Sequence, residues 1–130
     1  MRPELRHAYP RLKREWTEYG KVRRMDGVRG VPDFLLTCHA RPRIAIFTEV
    51  KAIESLSAPV KLDMNQSVRL QDLLQCGLLA RVLVCISESS WAVCDGPFLD
   101  AKLNQLNLRI DNTWRGGAVL TPAFLLGFTD

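Results

Sequence analysis

No apolar stretch in these 130 residues approaches the roughly 20 that a helix needs to span a bilayer. The arginine-rich start also lacks the apolar core of a secretory leader, so a cytoplasmic protein away from any membrane is expected. The four cysteines, Cys38, Cys76, Cys85 and Cys94, form no C-x-x-C pair and have no histidine pair near them. The spacing signatures of zinc sites are therefore missing. Buried free thiols are the expected state, and only the count leaves room for a disulfide or a four-cysteine site. Internal repeats and low-complexity tracts are absent as well, which excludes a repeat architecture.

What remains is a chain with 47% hydrophobic and 25% charged residues, the composition of a single domain over residues 1–130 that can bury a core. Its charge is lopsided. Positions 1–43 hold 11 basic and 5 acidic residues, a net of +6, whereas the remainder holds 7 against 9, a net of −2. A basic half beside acidic residues suits a polyanionic ligand. Lys21, Arg23, Arg24 and Arg29 are the candidate contacts to it, while the basic group between Arg6 and Arg14 reads equally well as a solvated helix face.

From Leu5 onward, Tyr9, Leu12, Trp16 and Tyr19 recur every three or four positions, the spacing of a helix that Gly20 would end. Pro10 falls inside it, either in a first turn or at a kink. Residues 21–25 form a short strand candidate, and a turn-rich segment over 26–30 follows. The apolar runs 34–36 and 44–47, joined by Arg41-Pro42-Arg43, predict a hairpin. The polar stretch from Ala52 to Asn65 fits neither period and reads as a loop. Residues 66–76 return to helical spacing with Gly77 as the stop, 81–86 form a buried strand, and 91–94 are its short partner. Residues 101–108 read as a helix and 118–126 as an apolar tail, and neither informs function.

Three ionisable residues sit at the ends of the hairpin. Side chains two apart on a strand share a face, so Glu49 and Lys51 point one way while Ile46, Thr48 and Val50 point the other. If the strands pair, Asp33 reaches the Glu49 end. A strand reading Ile-Ala-Ile-Phe-Thr-Glu-Val-Lys is central in character, and charges there are costly unless paired or bound to metal. Cutting a phosphodiester needs an attacking water, charge relief at the phosphoryl oxygens and help for the departing oxygen, and a hard divalent cation assists all three. Magnesium takes one or two protein carboxylates and keeps its waters, so Asp33 and Glu49 suffice for Mg2+ or Mn2+. Lys51 would position the water or stabilise the phosphate. Gln66, four residues before Leu70 and seven before Leu73, lies on the inward face at the start of its helix. The competing interpretation is a surface hairpin whose ion pairs contribute little.

Gly30-Val31-Pro32-Asp33, then Glu49-Val50-Lys51, then Gln66 with its helix running to Gly77 and an apolar strand beyond, resemble the PD-(D/E)XK nuclease superfamily. More narrowly they are similar to the small stand-alone VRR-NUC type of phages and bacteria, over roughly residues 4–95. The resemblance implies a restriction-endonuclease-like α/β fold, αβββαβ, with a central mixed sheet flanked by helices. It implies that Asp33 and Glu49 bind the metal, that Lys51 is catalytic and that Gln66 supports the site. The family's acid on the first helix is matched by Glu4, with Glu15 as the rival. The implied activity is that of a Mg2+-dependent endodeoxyribonuclease on branched or structured DNA, Holliday-junction-resolvase-like, acting as a homodimer in a bacterial or phage-infected cell. Segment 52–65 is longer than the family pattern, and the tail after Phe98 has no counterpart in it. Two other functions stay open: a DNA-binding or regulatory module that does not cut, and a nuclease subunit of a larger restriction or replication complex.

Overall fold

The computed structural model describes residues 4–25, 32–39, 43–87, 89–98, 106–108, 110–111 and 113–127. A π-helical turn, Glu4–Ala8, leads into α1 (Tyr9–Trp16), followed by β1 (Gly20–Arg24), β2 (Phe34–Cys38), β3 (Ala45–Ile53), β4 (Val60–Leu62) and α2 (Met64–Gln75). After these come β5 (Leu79–Ile86), β6 (Ser90–Cys94), β7 (Leu106–Leu108), β8 (Arg115–Gly117) and α3 (Pro122–Leu126). Pro10 sits in the first turn of α1. The wider turn before it accommodates a residue that has no N–H to give the i−4 carbonyl. Gly20 does not end the helix but opens β1, where a Cβ would run into the Thr37 carbonyl of the paired strand.

Six strands form one mixed sheet in the order β1-β2-β3-β5-β6-β8. Among the described strand pairs only β3 and β5 run parallel, and α2 makes the crossover that a parallel pair requires. α1 lies on one face, where Tyr9, Leu12 and Trp16 pack with Phe34, Leu36, Ile46, Val50 and Trp91. On the other face, Leu70 of α2 meets Val60, Leu62, Val82 and Val84. β5 is covered on both faces, which explains its unbroken apolar run. Its exception, Arg81, is held by the Leu125 carbonyl at 2.7 Å and by Asp95 at 2.8 Å, tying the end of α3 to the sheet.

Three further sequence expectations change. The stretch read as a loop after Lys51 instead continues β3 through Ile53 and then forms β4, which pairs with β7. For the same reason residues 106–108 are a strand and not helical, while 101–105 lie outside the described residues. Of the cysteines, Cys38 and Cys85 are buried, but Cys76 is exposed. No described helix is long and apolar enough to cross a membrane.

Candidate active site

The hairpin register sets the site. Phe34 opposes Thr48 across the antiparallel β2–β3 pair, so the next position outward brings Asp33 opposite Glu49. The two are tied crosswise. The backbone N–H of Asp33 donates to Glu49 Oε2 at 3.0 Å, and the N–H of Val50 donates to Asp33 Oδ2 at 3.2 Å. Both carboxylates thus continue the ladder that the strand ends would otherwise leave open. By strand alternation Glu49 and Lys51 share the face of Phe47 and Ile53, the one covered by α2.

Gln66 reaches the same point from the helix. Asp63 caps α2 by accepting the Gln66 N–H at 2.8 Å, while Gln66 Oε1 accepts the Asp63 N–H at 3.1 Å, a reciprocal capping box. That lock leaves Gln66 Nε2 aimed at Glu49 Oε1, to which it donates at 2.5 Å. Lys51 Nζ stands 3.4 Å from Gln66 Oε1 and 3.7 Å from Glu49 Oε1. Asp33, Glu49, Lys51 and Gln66 are therefore brought together in one contact network.

Glu49 is only 1% exposed. Burial, followed by the negative charge of Asp33, pushes its carboxyl up to about 7, and Lys51 opposes the shift. Two carboxylates set this close suit a cation that removes their repulsion. Both offer hard oxygen donors, the chemistry of Mg2+ or Mn2+. The described residues contain no cluster of three or more His, Cys, Asp or Glu placed to hold a metal.

One participant escaped the sequence: Tyr9, whose hydroxyl donates to Asp33 Oδ2 at 3.3 Å from the α1 layer. Nothing local marks it, since helical spacing assigns that position to the core. Asp63 also went unassigned, although Asp-x-x-Gln ahead of an apolar helix is the capping-box signal. Glu15 is not at the site. Its carboxylate is taken up by Arg11 at 2.5 Å, Trp91 Nε1 at 3.2 Å and the Leu120 N–H at 3.0 Å. Six residues beyond Tyr9, it lies about 9 Å farther along the helix axis. The backbone of Glu4 falls in the π-helical turn, while its side chain, Arg29 and Gly30 lie outside the described residues. Lys21, Arg23 and Arg24 are exposed on edge strand β1. Alternation puts Arg24 on the α1 face with Val22, and Lys21 and Arg23 on the face shared by Glu49.

Among solved structures, the chain is similar to the 1.6 Å structure of Archaeoglobus fulgidus Hjc, a Holliday junction resolvase from an archaeal hyperthermophile. The TM-score is 0.52 at 19% identity, over 70% of this chain and 75% of that one. The fold is restriction-endonuclease-like. No protein-family model matches the chain, and no curated protein does.

Proposed function

We propose that this protein is a metal-dependent endonuclease that hydrolyses DNA phosphodiester bonds, a single-domain PD-(D/E)XK nuclease of the small stand-alone VRR-NUC kind. The observation that carries this reading is the contact network joining Asp33, Glu49, Lys51 and Gln66 where β2 begins and β3 passes beneath α2. Asp33 and Glu49 would hold Mg2+ or Mn2+. When bound there, the ion supplies charge relief at the phosphoryl oxygens and a more acidic water. Glu49 would have to be deprotonated to serve as a ligand. Gln66 keeps the Glu49 carboxylate in one orientation through a donor that α2 itself holds in place. Lys51 presents its ammonium beside the acids, where it orients the water or stabilises the phosphate being cut.

Branched DNA is the substrate we favour, supported by the fold shared with a Holliday junction resolvase. A homodimer would let one assembly place two cuts about a branch point. The test is incubation of a four-way junction, a nicked duplex and a linear duplex with Mg2+ or Mn2+. Cleavage is expected to be strongest on the junction and to fall by at least about 100-fold in Asp33→Asn and Glu49→Gln, beyond the effect typical of residues that only support a ligand. Undiminished cutting by either variant, or no cutting of any DNA with either ion, would sink the assignment.

A further inference from the structure

Between α1 and β1 lies a recess of about 420 Å3 lined by Tyr9, Pro10, Lys13, Val22, Arg24 and Phe34. Its floor is apolar: the buried rings of Tyr9 and Phe34 meet edge to face at 4.9 Å, and Val22 is half-buried beside them. Its rim carries the exposed Lys13 and Arg24, and none of the described residues that line it is acidic. The Arg24 guanidinium lies 5.8 Å from the centre of the Tyr9 ring. The hydroxyl of that same ring donates to Asp33 Oδ2 at 3.3 Å. A single aromatic side chain therefore separates this recess from the acid pair.

Two cations over an apolar floor match a sugar-phosphate unit, with the anionic oxygens between the cations and the sugar carbons against the floor. The volume falls within the roughly 300–1,000 Å3 usual for small-ligand sites. We propose that this recess seats a sugar-phosphate unit of the DNA strand flanking the bond to be cut, its phosphate held by Lys13 and Arg24. Tyr9 is the positioning residue that links the seated phosphate to the orientation of Asp33. The inference rests on the endonuclease reading. It adds to that reading a subsite on the α1 face, opposite the face that carries Lys21 and Arg23.

The test pairs a binding and a cleavage measurement on the full chain. With divalent ions chelated, a fluorescent four-way junction and a linear duplex are titrated across a salt series with wild type and with the Lys13→Gln, Arg24→Gln double variant. The slope of log affinity against log salt should become shallower by at least about 1, and both DNAs should weaken by the same factor, because backbone contacts carry no sequence information. Tyr9→Phe should keep wild-type binding yet need roughly 10-fold more Mg2+ for half-maximal cleavage, as expected for loss of a group that orients a ligand. Melting curves confirm that each variant is folded. A double variant that binds with the wild-type slope would remove the subsite while leaving an active nuclease in place. A Tyr9→Phe protein with an unchanged ion requirement would remove the link to Asp33. Wild type that neither binds nor cuts DNA would end both the inference and the reading beneath it.

Discussion

Asp33 and Glu49 hold one another through their backbones: the Asp33 N–H lies 3.0 Å from the Glu49 carboxylate, and the N–H following Glu49 lies 3.2 Å from the Asp33 carboxylate. Two acids that repel are kept adjacent because each also completes the end of a strand ladder. The geometry that the proposed cation site needs is thereby built in by the backbone, and the cost of holding the two acids together appears as a raised Glu49 carboxyl.

That cost should be visible in stability. A carboxyl raised from 4.5 to about 7 in the folded state binds its proton more tightly there than in the unfolded chain. Its contribution is fully present below pH 4.5 and is lost as pH rises through 7. In chelator, wild type should lose stability relative to Glu49→Gln across that window, by up to about 3 kcal/mol. Urea denaturation of both proteins from pH 4.5 to pH 8 checks this, and parallel curves would refute it.

Cation binding should run the opposite way with pH. Ligation requires the deprotonated carboxyl, so the affinity for Mg2+ or Mn2+ should rise about tenfold per pH unit below 7 and level off above it. Calorimetry near pH 6 in two buffers of different ionisation heat should report close to one proton released per ion bound. Release of no proton would detach Glu49 from the ion.

Much of this arrangement could be read from the chain, and the failures share a cause. Alternation along β3 placed Glu49 and Lys51 on one face, and the spacing of Gln66 to Leu70 and Leu73 turned the amide inward, because both are periodicities within one element. β4 was missed because a three-residue strand has no period of its own and exists by pairing Val60 with Leu108, far along the chain. Tyr9 was missed for the same reason, since its hydroxyl meets Asp33 only after the α1 layer has packed against β2. Segments whose role depends on a distant partner leave no local mark.

Gln66 has two jobs that substitutions can separate. Its carbonyl oxygen closes the capping box, and its amide nitrogen donates to Glu49. Gln66→Glu keeps an acceptor for the Asp63 N–H but removes the donor and adds a charge beside Glu49, so the cap should persist while repulsion between the carboxylates lowers stability and cleavage falls roughly 10-fold or more. Gln66→Ala should lose both functions, and Asp63→Ala should cost about 1 kcal/mol of stability through the cap. Equal cleavage by Gln66→Glu and wild type would confine Gln66 to capping.

Glu15 provides the contrast between an acid that builds the fold and one that serves the site. It accepts hydrogen bonds from the indole of Trp91 and the N–H of Leu120 and pairs with Arg11, whose guanidinium lies 4.5 Å above the Trp91 ring. Truncation leaves the buried Trp91 indole and the Leu120 N–H without their acceptor and the Arg11 charge without its counter-ion, although Arg11 keeps the Ser90 and Ala118 carbonyls, so Glu15→Ala should lose about 3 kcal/mol of stability. The Mg2+ concentration for half-maximal cleavage should not move, because none of these partners touches Asp33 or Glu49. Denaturation together with an ion titration of cleavage measures both quantities. A shifted ion requirement at wild-type stability would return Glu15 to the metal site.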